Sequence, residues 1–225
     1  MQNVTMLGMD LLDRTTEESL ISAKRFLGNS ALNVVPYIDY RTLLLADRDE
    51  LIRDFLMNSA MILWADKEIL EIIGCDTNER SQEIADRSFL KELLRYIVDS
   101  DSGVALAGKD SESIDALNQE LKEIEPELRF VHNTFIDDTG NRIPEDAING
   151  INEHAPAIII SRIDYQKLET WIRQSKPMVN AGIWLAIPEQ MSLTGNREKS
   201  ILNKIRRYIK YLVIKRRMRI DGGAI

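Results

Sequence analysis

Two stretches, AMILWAD (residues 60–66) and APAIIIS (residues 155–161), decide how this chain folds. Each is almost wholly apolar and only a few residues long. A run without polar alternation suits a strand buried on both faces of a parallel sheet. GVALAG (103–108) has the same character, and working outward gives seven such β-rich runs: 4–7, 32–38, 60–65, 103–107, 128–135, 157–163 and 182–187. Between them lie stretches of helical period at 16–27, 40–58, 82–98, 111–123, 144–153 and 165–174. Thr15 or Thr16 before Glu17 and Glu18, Ser111 before its helical pattern, and Pro144 are helix-start signals. Strand alternating with helix predicts an α/β fold, a Rossmann-like, doubly wound and mainly parallel sheet with helices on both faces. Residues 66–81 and 136–143 read as loops.

After Gly195 the pattern changes to one long basic helix, about 198–218, so the expected division is a sheet domain over 1–195 and a basic amphipathic C-terminal appendage over 196–225. KIRRYIKYLVIKRRMR (204–219) holds eight cations and no acid, in a chain of net charge −7. Without those eight charges the remainder stands at about −15. An acidic body of that kind is unsuited to nucleic acid, and an anionic partner is expected to meet the tail. A tail with Ile205, Ile209, Leu212 and Tyr208 among its cations suits an anionic membrane surface. The same cations could instead neutralise a leaving diphosphate, or the apolar strip could pack on a second subunit.

No run of about 18 apolar residues is present. MQNVTMLGMDLLDR lacks the pattern of a secretory signal, and the single Cys75 fits a reducing compartment, so a cytoplasmic location is expected. Two histidines, His132 and His154, in no ligand spacing predict no metal site. GxSxG, Walker and GxGxxG motifs are absent, and no cofactor is expected. Asp66 closes the run AMILWAD and should project from the carboxyl end of a buried strand. There it could act as a general base, or simply cap the helix that KEILEII begins. Gly108 and Lys109 end a strand and lead into a helix, where backbone donors could hold a phosphate or a glycine could merely let the chain turn.

The opening VTMLGMDLLDRTTEESL (4–20), the block NVVPYIDYRTLLLADRDELIRDFLMNSAMILWAD (33–66), the block GVALAGKDSESIDALNQELKEIEPELRFVHNTF (103–135) and the pair APAIIISRIDYQKLETWI and GIWLAIPEQMSLTG resemble, in order and spacing, the WecG/TagA/CpsF glycosyltransferases. The resemblance covers roughly residues 3–197. It implies transfer of N-acetylmannosamine or a related sugar from a UDP donor to a polyprenyl-diphosphate-linked acceptor, as in teichoic acid or capsule synthesis. It further implies that Asp66 is the base, and that the tail contacts the inner face of the membrane, with Arg206, Arg207, Arg216 and Arg217 as diphosphate- or lipid-binding groups.

The departures lie in the polar motifs. Pro36 and Ile38 stand where the family has threonine and asparagine, with Asp39 or Tyr40 as the available substitutes. Glu169 and Trp171 are kept in the motif whose glycine, proline and glutamine positions carry Asp164, Gln166 and Leu168. Ile187 and Pro188 replace paired glycines. Two expectations follow: a divergent membrane-associated glycosyltransferase with a UDP-sugar and a lipid-linked acceptor as partners, or a catalytically degenerate relative that binds a partner enzyme or a glycan intermediate; a homo-oligomer or a partner glycosyltransferase is the expected protein contact.

Overall fold

A computed structural model describes residues 1–136 and 145–194. In chain order the elements are β1 (Gln2–Met6), β2 (Met9–Asp13), α1 (Thr16–Leu27), β3 (Asn33–Ile38), α2 (Tyr40–Ala46), α3 (Glu50–Met57), β4 (Leu63–Trp64), α4 (Glu68–Ile73), α5 (Asn78–Ala85), α6 (Ser88–Asp99), β5 (Gly103–Gly108), α7 (Ser111–Ile124), β6 (Arg129–Phe135), α8 (Glu145–His154), β7 (Ile158–Arg162), α9 (Tyr165–Ser175) and β8 (Ile183–Ile187). Six strands form one parallel sheet in the order β4-β3-β8-β7-β5-β6. The α/β, Rossmann-like architecture expected from the apolar runs is the one observed.

The sheet sorts its residues by parity. Val34, Ile38, Trp64, Ala105, Ile159 and Trp184 pack on one side against α2, α3, α4, α8, α9 and the β1–β2 hairpin. Val35, Tyr37, Leu63, Leu106, Ile160 and Leu185 pack on the other against α6 and α7. A strand period of two with both sides buried explains why these runs show no polar alternation.

Three local readings are corrected, and one strand is added. Residues 9–13 form a strand, β2, pairing antiparallel with β1. Leu7 and Gly8 between them both have positive φ, 52° and 73°, the two-residue turn that matches hairpin twist. The stretch 40–58 is two helices, because the Asp49 carboxylate caps α3 by accepting from the Leu51 and Ile52 N–H groups. Arg53 meanwhile donates to the last carbonyls of α2, those of Ala46 and Asp47. The stretch 82–98 breaks at Arg87, whose φ of 57° ends α5 and starts α6. Residues 66–81 hold α4 and the first turn of α5 rather than a loop. The helix start expected at Pro144 lies outside the described residues.

Two prolines interrupt the ladder near its carboxyl edge. The carbonyls of Val34 and Ile38 accept from Ala60 and Ala65 on the β4 side of β3, so alternation puts Pro36 on that side with no N–H to give. The β3–β4 ladder is accordingly only two pairs long. On the other side, Asn33 N–H donates to Gly182 and Pro36 pairs with Ala186. Continuing that register, the donor for the Tyr37 carbonyl would be residue 188, a proline. The buried Tyr165 hydroxyl sits there instead, 2.5 Å from the Tyr37 carbonyl and 3.0 Å from that of Ala186. Burial raises the Tyr165 pKa well above its ordinary value, so it stays a protonated donor. Tyr165→Phe should therefore lower stability by about 1–3 kcal/mol in urea titration without altering the far-UV CD spectrum.

At the opposite edge, His132 of β6 stacks on His154 of α8 with ring centroids 5.0 Å apart. Burial, followed by the neighbouring His154, holds the His132 imidazole below its usual 6.5, with Glu153 opposing. Between the folded and unfolded values the unfolded chain binds more protons. This contribution is thus full above 6.5 and is lost as pH falls toward the folded value. Melting temperature should decline as pH falls through and below the ordinary imidazole range, and His132→Phe should flatten that slope.

Candidate functional site

The carboxyl ends of the parallel strands collect the residues that could carry chemistry. Asp39 follows β3, Asp66 lies two residues beyond β4, Gly108 ends β5, and Asp164 and Pro188 follow β7 and β8. In an open α/β sheet ligands bind along this edge, where neighbouring strands send their connections in opposite directions. Here β5 and β7 are neighbours. β5 leads through α7 to β6 on one side, and β7 leads through α9 to β8 on the other.

Asp66 and Asp39 are brought together by the adjacency of β4 and β3. The Asp39 carboxylate is buried and caps α2, accepting from the Thr42 N–H at 2.7 Å and the Thr42 hydroxyl at 2.8 Å. The half-buried Asp66 accepts from the Tyr40 N–H at 3.3 Å through Oδ2. Its side chain does not cap its own helix: α4 has no side-chain cap, and only the Asp66 backbone carbonyl receives the Ile69 N–H. The capping alternative for Asp66 thus fails at α4, and the carboxylate turns across to the first turn of α2.

Gly108 has a packing reason. A Cβ on it would lie 2.6 Å from Cγ1 of Ile114 and 2.8 Å from the Ser113 hydroxyl, so glycine is what lets α7 close onto β5. At the start of that helix the Ser113 N–H is taken by the Asp110 carboxylate at 2.8 Å, and the Ser113 hydroxyl reciprocates. Lys109 is exposed beside it. Three strands separate β4 from β5, so Asp66 and Gly108 stand roughly 19 Å apart along the edge at about 4.8 Å per strand.

Glu169 is elsewhere. It is buried on α9, accepts from Arg173 Nε at 2.9 Å, and lines a cavity of about 720 Å³ with Leu32 and Val34 at the start of β3. The structure therefore does not join Glu169 to Asp66. Arg206, Arg207, Arg216 and Arg217 lie outside the described residues. Of the positions that depart from the polar pattern, Pro36, Ile38, Leu168, Ile187 and Pro188 are buried, three of them in the hydrophobic core, while Asp164 is half-buried and Gln166 exposed.

Two arginines at this edge escape a sequence reading. Buried Arg87 donates to the carbonyls of Ala65 at 2.6 Å, Ile84 at 3.1 Å and Ser192 at 3.2 Å, tying the end of β4 to α5 and to the segment after β8. Arg162, at the end of β7, makes a two-pronged pair with Glu120 at 2.8 and 3.0 Å, and Glu120 also accepts the Leu193 N–H. Both partners are remote in sequence, and Arg87 sits where the helical period runs on unbroken. Arg87→Met leaves three carbonyls short of a donor, and a stability loss of roughly 2–4 kcal/mol is expected by chemical denaturation.

Among the described residues no helix is long and apolar enough to cross a membrane. The chain matches the family model described as Glycosyl transferase WecG/TagA/CpsF family over residues 4–199. No curated protein matches it.

Proposed function

Because the chain belongs to the WecG/TagA/CpsF family of glycosyl transferases, we propose that it moves a sugar of the N-acetylmannosamine type from a UDP donor to a polyprenyl-diphosphate-linked acceptor in cell-surface polysaccharide synthesis. The observation that carries this reading is the Asp66 carboxylate. It stands at the carboxyl edge of the sheet, turned away from its own helix and held by the Tyr40 N–H.

In the proposed reaction Asp66 takes the proton of the acceptor hydroxyl as that oxygen bonds to the anomeric carbon, and the bond from that carbon to UDP breaks. The electron pair leaves with UDP. Preorganised positive charge stabilises the departing diphosphate best where water is excluded. Arg206, Arg207, Arg216 and Arg217 are the proposed source of that charge. The same basic stretch would hold the protein peripherally at the inner face of the membrane. Lys109, beside the divergence of β5 and β7, is the proposed contact for the donor end, with Gly108 shaping the turn.

A second reading has its own support. Pro36, Ile38, Leu168 and Ile187 are buried where the family has polar or glycine positions, so apolar side chains occupy part of that edge. A catalytically degenerate relative acting on a partner glycosyltransferase would have this appearance. Calorimetry and thermal shift with UDP separate the two. A ligand at a hundred times its dissociation constant adds about 2.7 kcal/mol, and no shift at millimolar UDP favours the degenerate reading. If UDP binds, Asp66→Asn should abolish sugar transfer while leaving UDP binding and the melting temperature nearly unchanged. Undiminished turnover would remove Asp66 from the mechanism.

A further inference from the structure

The sequence changes to its basic stretch after Gly195, and a join of that kind is ordinarily an exposed linker crossed by few contacts. Here the residues just before it are buried. Met191 is 6% exposed and Leu193 is fully covered, both packed into the core on the α6–α7 side of the sheet. The main chain there is gripped at adjacent residues by opposite charges. The Ser192 carbonyl accepts from Arg87 Nε at 3.2 Å, and the Leu193 N–H donates to Glu120 Oε2 at 3.1 Å. Glu120 is itself held by both Nη groups of Arg162, and the pair is mostly buried, with side chains 18% and 13% exposed. Arg87 Nη1 meanwhile donates to the carbonyl of Ala65, the residue before Asp66. One guanidinium thus spans the strand end that leads to the Asp66 carboxylate and the point where the chain leaves the sheet domain.

We propose that Glu120 is a positioning residue for sugar transfer: with Arg162 it fixes, beside Asp66, the origin of the chain that carries the 204–219 cations. This rests on the reading of Asp66 as the base and of Arg206, Arg207, Arg216 and Arg217 as counter-charge to the diphosphate. In that scheme Glu120 acts through the Leu193 peptide group rather than on either substrate. Burial of Leu193 alone would hold it without direction, whereas hydrogen bonds to consecutive peptide groups also set the heading of the chain. A buried ion pair returns little net stability, so geometry is what this one adds. Magnitudes separate a fixed origin from a loose tether. Ten positions separate Thr194 from Lys204, and sixteen separate Pro188 from Lys204. Lengthening a flexible tether by that much lowers effective concentration only about twofold. Misplacing a preorganised group by an ångström costs up to about a hundredfold.

The test replaces both members of the pair, Glu120→Met with Arg162→Met, because an apolar pair of similar size is near neutral for stability while a single change strands a buried charge. In transfer from UDP-N-acetylmannosamine, kcat should fall tenfold or more, with the donor KM and the melting temperature nearly unchanged. Combined with glutamine at Arg206, Arg207, Arg216 and Arg217, the losses should not add, because the pair works through those cations. A smaller loss, toward the twofold of a loose tether, overturns the proposal, and so does full additivity. Wild type that transfers no sugar sinks the transferase reading and this role with it, whereas a variant that keeps pace with an active wild type sinks this role alone. Hydrogen exchange on the unaltered chain is a second check. The Leu193 amide should exchange on the slow scale of β7 and β8, and exchange at the rate of an exposed linker overturns the proposal whatever the variants do.

Discussion

A parallel sheet is held by its backbone donors, and here two are missing at the edge that matters. Pro36 cannot give to β4, and Pro188 cannot give to β3. Everything around the candidate site is arranged to meet these gaps. The β3–β4 ladder shrinks to two pairs, and a tyrosine hydroxyl from α9 replaces a main-chain N–H between β3 and β8. An arginine takes up the Ala65 carbonyl just beyond β4. Side chains at this edge do work that the backbone performs in the middle of the sheet.

The charged groups form separate clamps. Asp13 accepts from Trp64 Nε1 and from Arg80, and Arg80 also pairs with Glu83, so the hairpin, β4 and α5 share one network. Arg87 joins the end of β4 to Ser192, and Arg162 with Glu120 joins β7 and α7 to Leu193. Removing charge from water is expensive, so such pairs are weak evidence for net stability. Their value lies in geometry. Each holds several partners in one arrangement, and the Arg87 and Arg162 clamps fix where the chain runs after β8.

The fold was legible wherever burial alone dictates sequence. β5, β7 and β8 read as strands because both faces are covered, and α1 and α7 announced themselves through Thr15 and Ser111 at their starts, although the cap of α7 is Asp110. The breaks at Asp49 and Arg87 were not legible, since apolar spacing continues across them and only a cap or a positive φ interrupts it. β2 was left unassigned because its five residues carry no run of apolar positions, whereas the Leu7–Gly8 turn folds them back on β1. The place of Asp66 at the carboxyl edge was legible from the apolar run before it, and its contact with the residue after Asp39 follows from β3 and β4 being neighbours. What could not be seen was the role of Tyr165 and Arg87. Tyr165 meets a carbonyl 128 positions away, and Arg87 meets one 105 positions away. Such contacts leave no local pattern.

The brevity of β4 has a dynamic meaning. Protein segments open with free energies graded by how many contacts and ladder bonds each must give up. A strand of two residues on the outer edge, bonded on one side only, sits low on that scale, while β7 and β8 in the centre sit near the top. The amides of Leu63 and Trp64 are therefore expected to exchange with solvent by local fraying rather than by whole-chain unfolding. The carboxylate beyond them thus rides on the margin of the sheet that opens most readily, while the five other strands keep their frame.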